Sequence, residues 1–208
     1  MGARVGVLLS GCGAYDGSDL HEAVLVLLAL ERRGARPVCI APDVAQLHVV
    51  DHLSGHGREE EHRGVWEEAG RIARGKLEQP TPGLTGGLEG LVVIGGFGVA
   101  KNLIGSFARP GEPRRIEPSV ESMLQALTQD RRPVGAVGLG KTLLAALLGE
   151  DPFEGSEFEP SDQLRRDPER RLYHVPGFLG QGRLPQVAAG IEAMVEEMLS
   201  ASPLQVVP

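Results

Sequence analysis

Leu91-Val92-Val93-Ile94-Gly95-Gly96-Phe97-Gly98 decides the fold: four apolar residues in a row run into a turn made largely of glycine. Such a run reads as a strand buried on both faces, which calls for helices on both sides of a parallel sheet. The signature recurs on either side of it. Val5, Val7, Leu8 and Leu9 run into Ser10-Gly11-Cys12-Gly13, and residues 134–137 run into Gly138-Leu139-Gly140. Val38-Cys39-Ile40-Ala41, stopped by Pro42-Asp43, is a further strand, and residues 171–175 a last one. Helical spacing lies between them. Leu20, Ala23, Val24, Leu27 and Leu28 form one stripe, with Ser18 as N-cap, Glu22 in the first turn and Gly34 as terminator. Val65, Trp66, Ala69, Ile72 and Ala73 form a second, and Val120, Met123, Leu124 and Leu127 a third. A fourth helix spans residues 141–148, and Val187, Ile191, Met194, Val195 and Met198 mark the last. Strand and helix in alternation predict a doubly wound α/β fold.

In the first helix Leu25, Val26 and Ala29 fall off the main stripe, which predicts a second covered face, against another subunit or a loop. Residues 45–57 are irregular and rich in histidine, and residues 150–170 read as one long loop. Neither a repeat nor a composition break divides the chain, so 1–208 reads as a single domain.

With 41% hydrophobic and 24% charged residues the chain has an ordinary globular composition, and 208 residues suffice for a full core. The net charge is −7 and the basic residues are scattered, which argues against nucleic acid or an anionic membrane as partner. The two cysteines, Cys12 and Cys39, have no metal-knuckle spacing and fit a reducing compartment. No apolar run approaches the ~20 residues of a membrane span.

Ligands of open parallel sheets bind beyond the carboxyl ends of the strands, near the point where strand order reverses. All three glycine-rich turns fall at such ends, where glycine exposes amides to an anion. Around them the chain resembles a known family. Leu9-Ser10-Gly11-Cys12-Gly13-Ala14-Tyr15-Asp16-Gly17-Ser18 with His21-Glu22-Ala23 comes first. Ala41-Pro42-Asp43, His52-Leu53-Ser54-Gly55, Arg71-Ile72-Ala73-Arg74-Gly75-Lys76 and Gly95-Gly96-Phe97-Gly98-Val99-Ala100-Lys101-Asn102-Leu103 follow in order. Together they resemble the ElbB branch of the ThiJ/PfpI (class I glutamine amidotransferase-like) superfamily.

That resemblance implies a flavodoxin-like three-layer sandwich with a mainly parallel sheet, and a homodimer. It implies a cytoplasmic or mitochondrial matrix location. It also implies a glyoxalase-like lyase that turns small aldehydes into hydroxy acids with no metal and no cofactor. In such enzymes a cysteine stands on a strained strand-to-helix elbow, beside a glutamate from the first helix and an oxyanion hole of backbone amides. Here Glu22 matches the glutamate, and Gly11, Gly96, Phe97, Gly98, Leu139 and Asn102 are the candidate pocket residues. The elbow position is Gly138, which has no nucleophile.

Three functions follow. One is a catalytically impaired protein that keeps a pocket for a small carbonyl or anion beside Glu22. Another is an aldehyde hydratase in which Glu22 acts as base with water or with Cys12, the alternative role of Cys12 being packing. The third uses Gly135-Ala136-Val137-Gly138-Leu139-Gly140-Lys141-Thr142, a phosphate-loop pattern in which Gly135, Gly140, Lys141 and Thr142 would hold a nucleotide. His48, His52 and His56 recur every four residues, but Ser54, Gly55 and Gly57 favour a solvated loop over a metal-binding helix face.

Overall fold

The computed structural model describes residues 2–105, 115–153 and 160–200. Seven strands form one sheet: β1 (Arg4–Leu8), β2 (Arg36–Ile40), β3 (Leu77–Glu78), β4 (Gly90–Val93), β5 (Val134–Val137), β6 (Arg165–Asp167) and β7 (Leu172–Val175). Their order is β3-β2-β1-β4-β5-β7-β6, and every neighbouring pair is parallel except β6 with β7. β1 lies between β2 and β4, so strand order reverses there and the ends of β1 and β4 frame the crevice.

Six helices cover the sheet: α1 (Leu20–Arg32), α2 (Val65–Ile72), α3 (Pro82–Gly86), α4 (Pro118–Gln129), α5 (Lys141–Leu148) and α6 (Leu184–Ser200). One apolar layer joins α1, α2 and α6 to Val5, Val7, Val92, Val137 and Val175. The other joins α3, α4 and α5 to Leu8, Ile40, Leu91, Val134 and Leu172. This is the doubly wound sheet that the alternation predicts, in the flavodoxin-like three-layer arrangement that the family resemblance implies. Each layer takes alternate residues of the same strand, as the two-residue period requires.

Four expectations need correction. Asp19, not Ser18, caps α1, accepting hydrogen bonds from the amides of His21 (2.9 Å) and Glu22 (3.1 Å). Ser18 is buried instead, and its hydroxyl accepts the Ser10 amide. The main stripe of α1 is only partly buried: its Ala23 is covered and its Leu27 packs against the core, and the second face, Val26 and Ala29, is covered as expected. Ala23, Val26, Ala29 and Leu30 face the sheet, whereas Leu20, Val24 and Leu28 are 46%, 50% and 41% exposed. Small alanines let the helix lie close to the strands, and Leu20, Val24 and Leu28 are left outside. The segment 150–170 is not one loop: it contains edge strand β6, while residues 154–159 lie outside the described residues. Finally, β3, α3 and a π-helical turn at Val99–Leu103 have no counterpart in the periodicity.

Candidate functional site

Glu22 is one of three buried acids among the described residues, with Asp16 and Glu68, and lies 3% exposed on the first turn of α1. Three strand ends converge on its carboxyl. The Phe178 amide, in a helical turn after β7, donates to Oε1 at 3.1 Å. A β-carbon on either Gly95, past β4, or Gly177, past β7, would strike the carboxyl oxygens, so glycine alone permits this approach. The third end is Gly138, past β5, whose φ of +53° holds the turn in the left-handed region. A β-carbon there would stand 3.0 Å from Oε1 and 3.3 Å from Oε2.

The position of Glu22 is fixed from behind by backbone. The Asp19 amide donates to Gly95 O at 2.9 Å, which ties the start of α1 to the end of β4. Oε2 has no hydrogen-bond partner among the described residues. The Gly95 amide lies near enough to favour the anion without bonding it. Burial dominates, and the charge of Asp19 adds to it, so the Glu22 pKa is pushed up from 4.5 to about 8 despite the amides of Phe178 and Gly95. At neutral pH the carboxyl is therefore mainly protonated. His21 and Phe178 meet at the edge of the site with ring centroids 5.8 Å apart. From the next strand the buried His174 places Nε2 3.3 Å from Gly138 O and stacks on Phe153.

The remaining sequence candidates divide. Gly96, Gly138 and Leu139 belong to the turns around Glu22, and Leu139 supplies one of the first amides of a helical run, which have no intrahelical acceptor. The amides of Phe97 and Gly98 are already engaged, with Ala14 O (2.8 Å) and Gly17 O (2.9 Å), and do not form an oxyanion hole. The Phe97 ring is 43% exposed. Asn102 does not face a ligand. Its amide donates to Ser10 O and Asp16 O, both at 2.9 Å, and its Oδ1 accepts the Leu47 amide at 3.0 Å, bracing three loops. Gly11 is buried against Gly17 and Gln46 inside the same brace.

Cys12 packs against the α1 layer. Burial raises its thiol pKa, Glu68 and Asp16 add to that, and Arg71 opposes it, so this is not the activated thiol that a replacement nucleophile needs.

The phosphate-loop geometry is absent. Gly135 and Ala136 are strand residues paired with both β4 and β7, Val137 pairs with β7, and the turn is only Gly138–Gly140. Thr142 donates its hydroxyl to Leu139 O at 2.7 Å, and Lys141 pairs with Asp151 at 3.2 Å. Thr142 and Lys141 are thus engaged within the chain, away from the phosphate roles the pattern gives them. The histidine-rich segment forms no helix: His52 accepts the Tyr15 amide and stacks on its ring. Among the described residues no three metal-ligating side chains converge, and no helix is long and apolar enough to cross a membrane.

Sequence reasoning missed Gly177 and Phe178, which approach Glu22 from 156 residues away. Their signals were a glycine just past a strand and a weak family resemblance at Val175-Pro176-Gly177-Phe178.

No protein-family model matches the chain. It is 33% identical over 222 aligned residues to the human glutamine amidotransferase-like class 1 domain-containing protein 3, mitochondrial, covering 95% of this chain and 82% of that protein. It is 32% identical to the ES1 protein homolog, mitochondrial, of Rattus norvegicus, covering 95% and 83%. Among solved structures, an isoprenoid biosynthesis protein with an amidotransferase-like domain from Ehrlichia chaffeensis superposes with a TM-score of 0.85 at 28% identity, over 95% of this chain and 99% of that one. The fold, the buried glutamate at a strand-to-helix elbow and these relatives together place the chain in the ES1 family of glutamine amidotransferase-like class 1 proteins, of ThiJ/PfpI fold.

Proposed function

We propose that this protein binds a small carbonyl compound or anion beside Glu22 and has given up the covalent chemistry of an elbow cysteine. The observation that carries the reading is the unpartnered Oε2 of a 3% exposed carboxyl, next to a glycine elbow that keeps its left-handed backbone. A buried polar atom without a partner is rare in a folded protein, and a ligand is one way to satisfy it. A protonated Glu22 offers a hydrogen to a ligand oxygen, and the Leu139 amide faces the same turn.

Glyoxylate is a suitable probe, being both a carbonyl and an anion. It raises the melting temperature of the wild type, and Gly138→Ala, whose methyl fills the point beside Glu22, abolishes the effect. Binding weakens above pH 8, where Glu22 ionises and repels the anion. Glyoxylate without effect on a folded wild type would sink the reading.

One observation favours a second reading, a hydratase for free aldehydes: a carboxyl with a pKa of about 8 is matched to general-base work near neutral pH. Turnover of methylglyoxal alone, retained in Cys12→Ala and lost in Glu22→Gln, would establish it in place of the first.

Self-association belongs to the same proposal. The exposed stripe Leu20, Val24 and Leu28 on α1 is the surface we assign to a homodimer. The mitochondrial relatives make that compartment the one to test by fractionation.

A further inference from the structure

Asp16 and His52 form a ring of contacts that lacks one link. Asp16, in the turn between β1 and α1, is buried, and its Oδ2 accepts the Val50 amide at 2.7 Å. The Val50 carbonyl faces His52 Nδ1 at 3.0 Å, and His52 Nε2 comes back to within 3.8 Å of Asp16 Oδ1. That oxygen belongs to a side chain only 1% exposed, yet it has no hydrogen-bond partner among the described residues. A β-carbon on Gly13 would strike both the ring and Oδ1, so glycine there lets the two come this close. The neighbours also fix the protons of the ring. A carbonyl only accepts, so Nδ1 carries a hydrogen; Nε2 accepts the Tyr15 amide at 3.2 Å, so it carries none. The imidazole is neutral in this arrangement.

We propose that His52 is a proton-operated latch between the histidine-rich segment and the turn before α1: on protonation it leaves the Tyr15 amide and closes on Asp16. A second proton can go only to Nε2, where it meets the hydrogen of the Tyr15 amide head-on. The buried Oδ1 is the acceptor beside it, and a hydrogen bond between two charged groups is about twice as strong as the neutral one it replaces. The released amide belongs to the Ala14–Tyr15 peptide, whose carbonyl accepts the Phe97 amide at 2.8 Å. Acid thus tightens residues 49–52 on Asp16 and frees one side of the peptide that steadies the turn after β4. Other charges act on the same carboxylate. Lys101, whose Nζ donates to Tyr15 O at 2.6 Å, attracts it from one side, and Arg63, from the segment before α2, from another. The Cys12 thiol also feels its charge, while Asp51, next to His52, is paired with Arg58.

Nitrogen-15 NMR of the full chain between about pH 8 and pH 5, the range in which histidine as a residue type changes charge, is the test. At the upper end the His52 ring shows the Nδ1–H tautomer, whereas free histidine favours Nε2–H. As the ring charges, the Tyr15 amide shifts with the same midpoint and the Phe97 amide follows. The protection of the Tyr15 amide against hydrogen exchange falls about fivefold, as the loss of one ordinary hydrogen bond gives. In His52→Gln, a change at a side chain 39% exposed, the Tyr15 amide holds still over the same range. A neutral ring in the Nε2–H form, or Tyr15 and Phe97 amides that stay still while His52 charges, would overturn the latch. So would the same Tyr15 shift in His52→Gln, which would assign the response to His48 or His56 of the same segment.

Discussion

Replacing Glu22 by Gln keeps the shape of the side chain and removes its proton equilibrium. Oε1 of the glutamine still accepts the Phe178 amide, so the packing of the site is retained. The sign of the effect follows from the raised pKa. Below about pH 4.5 the carboxyl is protonated in folded and unfolded chains alike, and its titration contributes nothing. Between 4.5 and about 8 the folded chain holds a proton that the unfolded chain has released, so stability falls as pH rises. Each pH unit in that window lowers the wild type by about 1.4 kcal/mol, which gives about 3 kcal/mol at pH 7 and about 5 kcal/mol above pH 8. The variant lacks this slope. Its amide nitrogen, in the place of Oε2, contributes a pH-independent offset of about 1–3 kcal/mol at most, which cancels in the comparison. Thermal unfolding of both proteins from pH 5 to 9 measures it. At about 2–4 °C per kcal/mol for a domain of this size, the difference in melting temperature changes by on the order of 10 °C in favour of the variant as pH rises. Melting curves that run parallel across this range would refute the buried, protonated Glu22.

Three further outcomes follow from the same geometry. Gly138→Cys places a thiol beside Glu22 and lowers stability by about 1–2 kcal/mol, because a β-carbon at φ +53° is strained. Peptide mass mapping after brief alkylation finds the new thiol modified before Cys12 or Cys39; Cys12 reacting first would contradict the placement of the site. Asn102→Ala removes three hydrogen bonds to backbone of separate loops and destabilises the fold by about 2–4 kcal/mol, read by denaturant unfolding. Val24→Glu, on the exposed stripe of α1, changes subunit stability by less than about 0.5 kcal/mol but shifts sedimentation from dimer to monomer.

The fold was legible because its central strands are continuous apolar runs, and β5 and α5 have the boundaries that the pattern predicts. The edges were not. β3 is two residues long and β6 is Arg-Arg-Asp, so neither carries an apolar period, and each is a strand only through its neighbour. α1 was misread for a related reason. Its buried face mixes Val26 and Leu30 with two alanines and a glutamate, while its exposed face carries Leu20, Val24 and Leu28, so hydrophobicity alone does not select the side.

Within the site, Glu22 and Gly138 were legible from the family pattern, but the role of Asn102 was not. An asparagine after a glycine-rich turn looks the same in sequence whether it meets a ligand or ties loops together. The phosphate-loop pattern failed because pairing of Gly135 and Ala136 with β4 and of Gly135 to Val137 with β7 fixes them as strand, a contact no local motif records. The Gly177-Phe178 turn completes the carboxyl site across the whole sheet, and local spacing carries no trace of that convergence.

The central claim is that Glu22 and the bare Gly138 elbow form a ligand site. Backbone amide NMR of the protein titrated with glyoxylate tests it most directly. The account predicts saturable shifts concentrated at Gly95, Leu139 and Phe178 in the wild type, and their loss in Gly138→Ala. Unmoved amides at these three positions at saturating glyoxylate, or the same shifts in Gly138→Ala, would contradict it.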